Sequence, residues 1–169
     1  MSILKIYQFP EPVLRKPTKK ITLFDQTLDK LVGDMIDTMY DAPGVGLAAP
    51  QIGRSVQLIV VDTTGDNGEE KKHMALVNPE IFYHEGSQLD EEGCLSVPEL
   101  TANVKRYQRI SVKFQDMKGQ PHEISAENRF AVILQHEIDH LNGILFLDHL
   151  SSLKRNLYKK KVQKRLAQK

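Results

Sequence analysis

Five consecutive residues, His136-Glu137-Ile138-Asp139-His140, have the types and spacing for metal chemistry. On a helix, positions i and i+4 stand one above the other on a single face. Two imidazoles so placed can hold one small cation at about 2.0–2.1 Å each. Glu137 sits one step round the helix. It can reach a water on that cation without being a ligand, which suits a general base. With 6 His and 11 Glu in 169 residues, H-E-x-x-H arises by chance in roughly one such chain in a hundred, so the motif outweighs coincidence.

A catalytic site of this kind needs a third protein ligand and an open fourth position. Thermolysin-like proteases take a Glu well downstream of the second His, and no Glu follows Glu137. Metzincin-type proteases continue to a third His, and that position holds Phe146, although the intervening glycine is present as Gly143. Asp148 remains available but lies beyond the expected helix end. Cys94 is the stronger candidate. It sits in Glu92-Gly93-Cys94-Leu95-Ser96, among small residues that let the backbone approach a ligand. A lone cysteine is more often a small buried hydrophobe, but the unfilled third position favours a ligand. A Cys-His-His set suits zinc or ferrous iron, and spacing does not choose between them.

The elements that must position these groups read as follows. Pro10, Pro12 and Pro17 make the N-terminal arm extended or irregular. Leu28, Leu31, Val32, Met35, Ile36 and Met39 recur at helical spacing, with Asp25 or Thr27 as the N-cap and Pro43-Gly44 as the stop. Residues 56–63 and 76–83 are β-rich, and 109–116 with 120–125 flank Met117-Lys118-Gly119 as a hairpin. The H-E-x-x-H helix starts near Glu127 and ends at Asn142, stopped by Gly143. A last helix follows Ser151 or Ser152, with an apolar stripe of Leu153, Leu157, Tyr158, Val162 and Leu166. The fold class is therefore α+β: antiparallel β-sheets packed around a central H-E-x-x-H helix, with a C-terminal basic helix.

Length bounds this to one domain, residues 1–169, and 40% apolar with 27% charged residues is ordinary for a globular protein. No apolar run approaches the ~20 residues of a membrane span. The N-terminal residues MSILKIYQFPEP lack a signal-peptide pattern. A single cysteine excludes a disulfide framework, and a cytoplasmic setting is expected. The net charge of +1 hides a split. Residues 151–169 carry eight Lys and Arg and no Asp or Glu. The remaining 150 hold 15 basic and 22 acidic side chains. A basic tail on an acidic body either docks on a polyanion or solvates a terminal helix.

Three segments resemble the peptide deformylase family, of the Gram-negative type. Gly44-Val45-Gly46-Leu47-Ala48-Ala49-Pro50-Gln51 resembles its G-x-G-x-A-A-x-Q motif, Glu92–Ser96 its E-G-C-L-S, and His136–His140 its H-E-x-D-H. Their order and spacing agree over essentially the whole chain. The resemblance implies a hydrolase that removes the N-formyl group from the initiator methionine of nascent polypeptides, releasing formate, in bacteria or organelles derived from them. It implies one divalent metal ion per chain, Fe(II) foremost with Zn, Ni or Co as alternatives, held by Cys94, His136 and His140. Glu137 is then the catalytic acid/base, and the Gln51 amide and Leu95 backbone N–H are donors to the oxyanion. The substrate backbone is expected as an added strand beside Val45-Gly46 and Gly93. Val132 and Ile133 share a helix face with His136 and can line a methionine pocket, with Val45 opposite and Arg129 at the rim. Core packing is the competing reading for Val132 and Ile133. Arg106 aligns with a family arginine that can pair with Glu92, a surface role being the alternative. Some relatives carry an arginine near Thr101 that this chain lacks. The basic helix 153–169 resembles one that docks on the ribosome, on RNA or protein near the exit tunnel.

Two other classes compete: a zincin-like peptidase with an unusual third ligand, and a degenerate, non-catalytic member whose metal is structural and whose basic helix binds RNA. Glu137 and Gln51 argue against the second, because a structural site needs neither.

Overall fold

The computed structural model describes residues 2–64 and 72–168, so Lys169 of the basic segment lies outside the described residues. Helix α1 spans Gln26–Asp41, α2 spans Asn128–Leu141 and α3 spans Ser152–Ala167. The strands are β1 Gly46–Ala48, β2 Leu58–Asp62, β3 His73–Glu85, β4 Gln88–Cys94, β5 Val97–Arg106, β6 Arg109–Gln115 and β7 Pro121–Glu127. Five form an antiparallel sheet in the order β1-β2-β3-β6-β7; β4 and β5 form a separate antiparallel pair. The architecture is α+β, as the residue pattern predicts.

Strand β2 shows why the sheet lies in the interior. Leu58, Ile59, Val60 and Val61 are all fully buried, the signature of a strand covered on both faces. Alternation sends Leu58 and Val60 into a cluster with Val32, Met35 and Met39 of α1. Ile59 and Val61 meet Leu134 and Ile138 of α2 on the opposite face. Burying a side chain such as Leu134 contributes about 1.5–3 kcal/mol, so α2 is held by its core face while its other face stays available for chemistry. A third cluster joins Val97 and Val104 of β5 to Phe146, Tyr158 and Val162.

Local signals explain the helix ends. Asp25, rather than Thr27, caps α1, its Oδ1 accepting from the Thr27 and Leu28 backbone N–H groups. Gly143 follows α2 at φ 72°, and the Ile144 N–H closes back onto Asp139 O at 3.0 Å. Ser151 caps α3 through the Lys154 N–H. The stripe expected on α3 is only half buried. Tyr158 and Val162 pack inward, whereas Leu153, Leu157 and Leu166 are 68%, 59% and 46% exposed. Helical spacing identifies a shared face; it does not say that a partner covers it.

Candidate metal centre

Helix α2 and the β4–β5 hairpin meet so that three donors converge. Cys94 ends β4, and His136 and His140 lie one turn apart on α2. Among the described residues, these three form a set whose ligand atoms all lie within 4.8 Å of one another. His136 Nε2 to His140 Nε2 is 3.3 Å, and Cys94 Sγ to His140 Nε2 is 3.4 Å. A tetrahedral cation at about 2.0–2.1 Å from nitrogen and about 2.3 Å from sulfur keeps such atoms about 3.3–3.6 Å apart. The donor set therefore fits a small divalent ion. Asp148 is not part of it. Its carboxylate takes Arg15 at 2.6 Å and the Leu145 N–H at 3.0 Å.

A buried charge network orients the donors. His136 Nδ1 lies 2.9 Å from Glu92 Oε1, which leaves Nε2 bare toward the donor set. Arg106 grips both Glu92 oxygens at 2.7 and 2.8 Å and donates to Asp139 Oδ2 at 2.6 Å. Burial alone would raise the Glu92 carboxyl, but Arg106 and His136 outweigh it and hold the group below its ordinary range. The Arg106 and Glu92 side chains are each 4% exposed, so this arginine has no surface role. Asp139 and His149, 3.0 Å apart, extend the network outward; Asp139 is the acidic residue of the H-E-x-D-H segment, whereas no motif contains His149.

Glu137 is buried beside this set, and β1 runs against it. A Cβ built on Gly46 would stand 2.6 Å from Glu137 Oε2 and 2.8 Å from its Cγ, so only glycine allows the approach. Burial pushes the Glu137 carboxyl up to about 7; a nearby divalent ion would draw it back down. Its Oε1 is buried without a hydrogen-bond partner among the described residues, an acceptor kept for something other than the protein. Gln51 is equally buried. The Ala48 N–H anchors its Oε1 at 2.9 Å, and its Nε2 donates to Ser96 Oγ at 3.1 Å and Cys94 Sγ at 3.6 Å. Ser96 orients that amide; it ends the E-G-C-L-S segment, which by itself assigns the serine no role.

A cleft of about 490 Å³ opens over the site. Cys94, Leu95, Gln51, His136 and Glu137 line it, as do Val45, Gly46, Gly93, Val132 and Ile133. His140 lies beneath, 1% exposed. Val132 is also 3% exposed, so it serves the packing and the wall together. Arg129 stands at the mouth, paired with Asp90 at 3.2 Å. Leu100 and Thr101 form a further wall; Leu100 was not foreseen because β5 was not recognised as a strand.

Comparison with known proteins agrees with this geometry. The family model described as polypeptide deformylase matches residues 3–156. A curated peptide deformylase of Desulfotalea psychrophila is 65% identical over 97% of both chains. Among solved structures, a peptide deformylase from Legionella pneumophila is 48% identical, with TM-score 0.89 over 99% of each chain. One from Ehrlichia chaffeensis is 38% identical, with TM-score 0.91 over 98% of each chain. A cleft built on two α2 histidines, one cysteine and a buried glutamate, and a sequence similar along its whole length, have one common explanation: the chain belongs to the polypeptide deformylase family.

Proposed function

We propose how this hydrolase of formyl-methionyl peptides works, with residues 1–169 acting as a single catalytic domain. The observation that carries the reading is the convergence of Cys94 Sγ, His136 Nε2 and His140 Nε2 beside a buried, under-bonded Glu137. Those three residues would hold one divalent ion, Fe(II) in preference to Zn, Ni or Co; one thiolate with two imidazoles suits either iron or zinc. Bound there, the ion supplies Lewis acidity and makes water nucleophilic near neutral pH.

The chain's own residues do the rest. Glu137 takes the proton of the attacking water on its carboxylate and delivers it to the leaving amine, freeing formate and a new N-terminus. The Gln51 amide and the Leu95 N–H donate to the formyl oxygen as charge develops there, each such donor contributing roughly 3–4 kcal/mol in comparable sites. Gln51 is suited to this because its Oε1 is already fixed by Ala48 and one of its N–H groups by Ser96; the formyl oxygen takes the other, which otherwise reaches Cys94 Sγ only at 3.6 Å. Val132, Ile133 and Val45 receive the methionine side chain. Gly46, Val45 and Gly93 pair with the peptide backbone, which leaves the following sequence free. A close-fitting site excludes acyl groups larger than formyl.

The test is product analysis on a formyl-Met peptide. Formate and an otherwise intact peptide are expected; internal cleavage without formate would mean a peptidase instead.

Beyond the peptide itself, the partner is the ribosome, near the exit tunnel, and the setting is the cytoplasm. Lys154, Lys159, Lys160, Lys161 and Lys164 of α3 are exposed on a helix without acidic residues, which supports docking on an RNA-rich surface. No helix among the described residues is long and apolar enough to cross a membrane. Deleting residues 153–169 should abolish co-sedimentation with ribosomes at physiological salt; unchanged binding would end this reading.

A further inference from the structure

A second cleft, of about 570 Å³, lies between β5 and α3. It meets the catalytic cleft at Glu91, Glu99, Leu100 and Thr101, which line both. Helix α3 is fastened along this junction. Tyr158 Oη donates to Pro98 O at 2.8 Å, and Lys161 and Arg165 reach Glu99 Oε2 at 3.8 and 3.3 Å. Leu157 lines the second cleft yet is 59% exposed, and of the exposed leucines of α3 (Leu153, Leu157 and Leu166) it is the one that faces this cleft. Leu100, Leu150 and Tyr158 line it as well, together with the charged Lys154, Lys161 and Glu91.

We propose that this second cleft binds the downstream part of the substrate, about residues four to eight of the formyl peptide. The inference rests on the deformylase reading above. Every nascent substrate continues beyond the residues held at the metal centre, and the continuation has to leave the first cleft. The junction at 99–101 leads directly between β5 and α3. The stretch 99–103 spans about 13 Å of strand, room for about five extended residues. A lining that mixes apolar, cationic and anionic side chains accepts most residues, which suits an enzyme that meets many N-terminal sequences. Helix α3 thereby forms one wall of the track along which the nascent chain lies.

The experiment compares a formyl-Met tripeptide with a formyl-Met octapeptide of mixed sequence, using the metal-loaded full chain. The octapeptide should have the higher kcat/KM, by about five- to tenfold, through KM; that is roughly the gain from covering the exposed part of one leucine side chain. Leu157→Asn should remove this advantage and leave tripeptide turnover unchanged. A photo-crosslinker at peptide position seven should label residues 99–103 or 150–161. Equal kcat/KM for the two lengths, retention of the advantage in Leu157→Asn, or labelling elsewhere would each overturn the proposal. Failure to deformylate even the tripeptide would instead refute the underlying functional reading, so the two failures are distinguishable.

Discussion

Gly46→Ala probes the closest approach in the site. The added Cβ would meet Glu137 Oε2 at 2.6 Å, Cγ at 2.8 Å and Cδ at 2.9 Å. Ordinary carbon contacts begin near ~3.5 Å, so Cγ has to retreat by about 0.7 Å. It cannot swing aside as a chain end would, because it lies next to the α2 backbone and the side chain is buried. The carboxylate therefore shifts by about as much, and a displacement near 1 Å at a reacting group costs on the order of 10²-fold in rate. Overpacking adds a stability cost of roughly 1–3 kcal/mol. The assay is steady-state formate release, with metal content and denaturant unfolding measured on the same preparation. The expected result is kcat down about a hundredfold, one metal per chain retained and a folded protein. Gly33→Ala is the control. A Cβ there meets nothing within 4 Å and the position is helical, so stability should rise by roughly 0.5–1 kcal/mol with kcat unchanged. A folded Gly46→Ala protein with kcat within twofold of the parent would refute the placement of Glu137.

Arg106→Leu leaves the Glu92 charge buried without its main partner, so stability should fall by about 3–5 kcal/mol in denaturant titration, and metal affinity by roughly 10–100-fold as His136 loses its fixed partner; a loss under about 1 kcal/mol would contradict the network. Asp148 gives a pH signature. Burial pushes its carboxyl up, but Arg15 and the Leu145 N–H hold it below its ordinary value of 3.8. A depressed folded-state pKa contributes stability that is present above the unfolded value and lost as pH falls through the folded one. Asp148→Asn should therefore lower stability near neutrality by up to about 1 kcal/mol, since the pair is partly exposed, and flatten the decline below about pH 4. An unaltered acid limb in the stability–pH curve would exclude this pair as a contributor.

Elements with strong periodicity were legible from residues alone. α1, α2, β2, β3 and the β6–β7 hairpin lie where spacing and turn residues put them, within two or three residues at each end. β4 and β5 were not. The sequence Gln88-Leu89-Asp90-Glu91-Glu92-Gly93-Cys94 has no apolar alternation, because the two-stranded unit exposes most of its side chains, and Leu89 itself is 68% exposed. β1 is three residues long, too short for any period to register. The same distinction holds in the site. His136, Glu137 and His140 share one helix and declare themselves by spacing, whereas Cys94 comes from 42 residues earlier and was reachable only because the third ligand was missing. Gln51 and Leu95 were named through the family motifs. Ser96 and Asp139 fall inside the family motifs, but their roles, like that of His149, are not readable locally, because their partners are assembled by the meeting of β4, β5 and α2.

The proposed mechanism depends most on Glu137 moving the proton while Cys94, His136 and His140 hold the metal. The direct measurement is formate release per bound metal from a formyl-Met peptide, on anaerobically purified parent and Glu137→Gln protein with metal content determined on each sample. The mechanism requires one metal per chain in both proteins, Fe(II) foremost in the parent, and turnover lowered about 10³-fold or more in Glu137→Gln. Comparable turnover per metal in the two proteins would contradict it.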